Sequence, residues 1–189
     1  MNDIETYLEE LIGEFPICEY AFGNTDQIPF SDKIFTICQT DCRRYGHSWA
    51  CPPNAGTIED NIDRIGHYQR FLVFSTVWEV SDAFNFDACL LVRKEHEALT
   101  REFRKKLLDH YSLPMESLDE NPTPPIYMLS AGCGTCEVCA CPDEPCRYPK
   151  ERLMSMESHG ILIMKLVEDL GLTYAYDSTT VVYFSSVYF

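Results

Sequence analysis

Basic side chains are scarce in this chain. Its 189 residues hold 15 Lys and Arg against 30 Asp and Glu, a formal charge of −15 and an isoelectric point near 4.6. A surface so acidic repels phosphate backbones and anionic bilayers, so neither nucleic acid nor membrane is an expected partner without a strong local basic patch. Long apolar runs are missing as well. The longest, Phe71 to Trp78, is interrupted by Ser75 and Thr76 and falls far short of the roughly 20 residues that a spanning helix needs. Low-complexity tracts and internal repeats are absent, and Gly and Pro are only moderate at 9 and 11 residues. With 46% apolar and 13% aromatic residues, disordered and collagen-like classes are excluded. There is no Walker loop, dinucleotide glycine fingerprint or G-x-S-x-G elbow, and Thr100 stands where His96-Glu97 would need a second histidine to form a zincin motif. The opening Met1-Asn2-Asp3-Ile4-Glu5 lacks the basic and apolar regions of a secretory signal. The expected compartment is therefore the cytoplasm.

What is abundant is cysteine, ten in all. In a reducing compartment, clustered thiols point to metal or redox chemistry before structural disulfides. The surrounding pattern predicts a mixed α/β domain spanning 1–189, with a mixed sheet of about four to six strands flanked by helices. Helices are expected over Ile4–Ile12, from the Ser31 cap through Ile34, Cys38, Cys42 and Tyr45, over Thr57–Tyr68, over Phe86–Tyr111, and from Ser155 to Leu170. Strands are expected at Phe15–Phe22, Phe71–Val80, Ile126–Ser130, Thr173–Tyr176 and Thr180–Phe189. The alternating charges of the long helix, Arg93, Lys94, Arg101, Arg104, Lys105 and Lys106 among Glu95, Glu97, Glu102 and Asp109, read as a solvated face.

Two cysteine constellations, at 38–53 and 132–149, stand where helices and strands end. In the second, Cys133, Cys136, Cys139 and Cys146 form C-x2-C-x2-C-x6-C. Thiolates at steps of three on a glycine-containing loop can wrap three corners of an iron–sulfur cubane, and a later cysteine supplies the fourth. Cys141-Pro142 comes too early for that corner, which leaves Cys146. Zinc is the alternative, although only two residues separate Cys136 from Cys139, which is cramped for paired knuckles. In the first constellation, Cys38, Cys42 and Cys51 make a three-thiolate set whose fourth ligand is Cys18, Cys141, His47 or nothing from the protein. Tyr45 occupies the position where a radical SAM motif needs its third cysteine. Cys89 reads as a core residue, His67, His110 and His159 as surface or packing residues, and Arg43, Arg44 and Arg147 as neighbours able to offset thiolate charge.

These residues carry a resemblance. Cys38, Cys42, Tyr45-Gly46, Trp49 and Cys51-Pro52-Pro53, followed by Gly132-Cys133, Cys136, Cys139, Cys146-Arg147, Pro149, Ser155-Met156-Glu157 and Gly160-Ile161, resemble the DUF2284 family of predicted metal-binding proteins. The resemblance runs from about Cys18 to the C-terminus, with Cys141 an addition to the usual pattern. It implies a cytoplasmic bacterial or archaeal protein that binds metal, without assigning a reaction. The expected function is binding of a [4Fe-4S] cluster on Cys133, Cys136, Cys139 and Cys146, with a second metal site at Cys38, Cys42 and Cys51. The role would be electron transfer or service as a redox accessory to a protein partner. A zinc-stapled interaction module is one alternative. An enzyme using an open iron at the three-cysteine site, faced by His47 or Tyr45, is another.

Overall fold

A computed structural model describes residues 3–189. Five strands form an open sheet in the order β1-β2-β5-β3-β4: β1 is Tyr20–Asn24, β2 Arg70–Glu79, β3 Tyr127–Ser130, β4 Met154–Ser155 and β5 Thr180–Tyr188. The β1/β2, β2/β5 and β3/β5 pairs are antiparallel, while β3 and β4 run parallel, so the sheet is mixed as expected.

Side chains alternate along these strands, and each face of the sheet has its own core. Phe71, Val73, Tyr127, Leu129, Phe184 and Tyr188 belong to one core, shared with Ile65 of α3 (Ile58–Gly66) and Leu166 and Val167 of α5 (Ile163–Asp169). Leu72, Phe74, Met128 and Val187 belong to the other, with Leu8 and Leu11 of α1 (Asp3–Ile12) and Phe103 and Leu107 of α4 (Phe86–His110). Both faces are covered, which explains why β2 is a nearly unbroken apolar run. The Asn85 side chain starts α4 by accepting from the Asp87 and Ala88 amides. A buried polar seam ties α4 to the sheet. His96 Nδ1 lies 2.7 Å from Thr76 Oγ1 and its Nε2 lies 2.8 Å from Ser185 Oγ, while Thr100 and Ser130 complete the group.

Several expectations are corrected. The helix α2 spans Asp32–Asp41 and is capped by Ser31. It stops before Tyr45 because Cys42 turns to an extended backbone. No helix runs unbroken from Ser155 to Leu170. Met154 and Ser155 instead pair with β3, a 3-10 turn follows at Glu157–His159, and Gly160 closes that turn at φ 78°. A Cβ at Gly160 would stand 2.7 Å from the Ile58 side chain, so the chain turns sharply at a point of close approach. β1 begins at Tyr20 and not Phe15, although Cys18 N already donates to the Ser75 carbonyl. Residues 173–176 form no strand. Cys89 is half-buried, outside both cores, with its thiol directed at the Ala83 carbonyl. Among the described residues no helix is long and apolar enough to cross a membrane.

Candidate metal centre

The two cysteine-rich segments leave α2 and β3 and meet one another. The first, residues 42–57, is a chain of tight turns. Cys51 N donates to the Ser48 carbonyl, Ala55 N to the Cys51 carbonyl, and Gly46, at φ 71°, donates to the Pro52 carbonyl. The second, residues 131–153, starts directly after β3. Three bonds hold the segments together. Trp49 Nε1 donates to the Glu144 carbonyl at 2.9 Å, Asn54 Nδ2 donates to Cys141 Sγ at 3.1 Å, and the Cys141 thiol donates to the Gly46 carbonyl at 3.4 Å. Cys141, buried and so engaged, joins the two loops and lines neither of the cysteine cavities described next.

Cys133, Cys136, Cys139 and Cys146 all line one cavity of about 220 Å³, together with Arg44, His47, Trp49 and Arg152. Cys38, Cys42 and Cys51 line a second, of about 290 Å³, together with Ile34, Ile37, Tyr45, Arg44, Arg93 and Glu157. The seven cysteines singled out by spacing thus divide between two cavities in the expected sets. His47 faces the first cavity, not the second, and Cys18 is exposed near Tyr176, lining neither. The cavities are neighbours. Arg44 lines both, Ala50 and Cys133 line the first, and the adjacent Cys51 and Gly132 line the second.

Beneath the second loop lies a layer of charge on α4. Glu97 is fully buried, and Arg93 Nε stands 3.0 Å from its Oε1, an ion pair not aligned as a hydrogen bond. Gly132, at φ 154°, and Gly134 rest directly on Glu97: a Cβ at Gly134 would lie 2.0 Å from Oε2. Arg104 Nη2 donates to the Lys150 carbonyl at 2.6 Å. The face of α4 read from sequence as solvated is therefore partly covered by the cysteine loop. Nitrogens of Arg93, Arg101, Arg104 and Arg152 and both Glu97 carboxylate oxygens are buried without a hydrogen bond. Of these, Arg152 lines the first cysteine cavity and Arg93 the second, where each can oppose the negative charge of thiolates.

Proton affinities follow burial. The Cys38 thiol is pushed up to about 11 by burial, reinforced by Cys42, Cys51 and Glu157. Burial also raises Cys51, Cys146 and Glu157, with Arg93 pulling Glu157 back. These groups must lose protons to bind metal, so loading competes with protonation. Glu157, quoted only as part of the family pattern, Arg93, read as solvated, and Arg152 were not expected beside the cysteines. Glu157 follows the Ser155-Met156 pair in a segment read as an ordinary helix start, and no spacing rule links it to distant cysteines.

The donor set, four thiols on one cavity and three on the other, fits a thiolate-bound metal group. Soft thiolates suit iron–sulfur clusters and zinc alike. Among the described residues no three His, Cys, Asp or Glu side chains gather tightly enough to hold a metal ion. Fold and site together define a cysteine-rich mixed α/β protein. The chain belongs to the family described as predicted metal-binding protein (DUF2284), which matches residues 23–189. A search of curated proteins and a search of solved structures each find no match.

Proposed function

We propose that Cys133, Cys136, Cys139 and Cys146 hold a [4Fe-4S] cluster and that the protein serves as a one-electron carrier or redox accessory to a protein partner. The observation that carries this reading is the convergence of these four thiols on one cavity of about 220 Å³. A tetrahedral zinc site with Zn–S near 2.3 Å would need the four sulfurs to close to within about 4 Å of one another. When bound, the cluster supplies one-electron chemistry at a potential set by charge, hydrogen bonds and solvent access. The chain contributes the rest. Cys133, Cys136 and Cys139 offer thiolates from one loop, Cys146 closes the set, and Arg44 and Arg152 oppose the negative charge that thiolates bring. Trp49 on the cavity wall restricts water there.

Anaerobic reconstitution tests the proposal. With ferrous iron and sulfide, the protein should acquire a broad visible absorption band and, once reduced, an electron paramagnetic resonance signal typical of a cubane. Cys136→Ala should remove at least half of the bound iron. A colourless protein that retains stoichiometric zinc overturns the reading and leaves the zinc-stapled module in its place.

A further inference from the structure

We propose that the cavity lined by Cys38, Cys42 and Cys51 holds a second iron–sulfur cluster, with the Glu157 carboxylate as its fourth ligand. This extends the iron–sulfur reading of the first cavity to a separate set of residues, and the two readings can fail independently.

Three elements build the site. Cys38 lies in the last turn of α2, Cys42 is the residue at which that helix ends, and Cys51 sits on the turns that follow. Glu157 arrives from the opposite side, opening the 3-10 turn after β4. All four face the same cavity of about 290 Å³, otherwise walled mainly by apolar groups such as Ile34, Ile37 and Pro52. An apolar wall limits the access of water to cluster sulfide. A carboxylate facing three thiols in such a space, with Arg93 and Arg44 on its walls, gathers four groups that can each give up a proton to a bound metal group. Three thiolates with one carboxylate supply one donor to each iron of a cubane. The carboxylate is the harder, weaker donor of the four, so the iron it holds is the exchangeable one.

Iron and acid-labile sulfide counts on the anaerobically reconstituted full chain test the proposal. The wild type should hold about eight of each, twice the content of one cubane. Cys38→Ser/Cys51→Ser should halve that count, and Cys133→Ser/Cys136→Ser should leave the other half, each remaining cluster showing that its variant folds. Glu157→Ala should keep the second cluster but speed the loss of its exchangeable iron to a chelator at least tenfold, and Glu157→Cys should slow it. A wild-type count of about four that Cys38→Ser/Cys51→Ser does not change overturns the proposal while sparing the first cavity. A count of about four that is insensitive to Cys133→Ser/Cys136→Ser overturns the first reading alone. Iron loss that is the same in Glu157→Ala and wild type removes Glu157 from the ligand set.

Discussion

His96 is fully buried between α4 and the sheet, its ring nitrogens committed to Thr76 and Ser185. Burial lowers its pKa to about 3, so the folded protein keeps the imidazole neutral, whereas the unfolded chain protonates it below about 6.5. The unfolded state thus binds the extra proton in that window, and the stabilisation present above pH 6.5 is lost as the pH falls toward 3. His96→Gln retains polar atoms for both partners and removes the titration. Urea unfolding of the metal-free protein at pH 6 and pH 5 should show the wild type losing about 1 kcal/mol more than His96→Gln over that step. Equal losses would mean that the ring is protonated in the fold.

At the scale of elements, the loop after β3 owes its path to two glycines pressed against Glu97. Adding a methyl group at Gly134 puts it 2.0 Å from a carboxylate that is itself completely buried. The loop that carries Cys133 and Cys136 must then lift. Overpacking of this kind costs about 1–3 kcal/mol, so Gly134→Ala should lower the thermal midpoint of the metal-free protein and reduce iron retained after reconstitution. Unchanged values on both measurements would show that the loop does not rest on α4. The same contact explains what could and could not be read from the sequence. The thiols of the first cavity were legible because ligand spacing is local, and β2 and α4 were legible because their patterns are long. The burial of Arg93 and Glu97 was not, since their helix alternates charges as any exposed helix does and only the overlying loop hides them. The break at Gly160 was equally hidden, because Met156, Ile163 and Val167 keep helical spacing across it. Glu157 stood inside that misread stretch.

For the whole molecule, the sheet places everything chemical at one end. β3 delivers one loop, β4 leads into the turn that opens with Glu157, and α2 delivers the other loop, so both cavities lie beside each other on a frame whose two cores are closed. Their common wall, Arg44 with the Ala50–Cys51 and Gly132–Cys133 steps, has a thermodynamic consequence. If both cavities load as proposed and loading fixes that wall, the ordering cost falls once, and occupation of either cavity would raise affinity at its neighbour by the same factor. Titrated with limiting iron and sulfide, the chain should divide into fully loaded and empty molecules, resolvable by native mass spectrometry, with few half-loaded ones. A binomial spread of singly and doubly loaded species would show that the two cavities fill without regard to each other. Cooperative filling would make the protein a threshold device: below a certain supply of iron and sulfide it stays dark, and above it every copy that loads is complete.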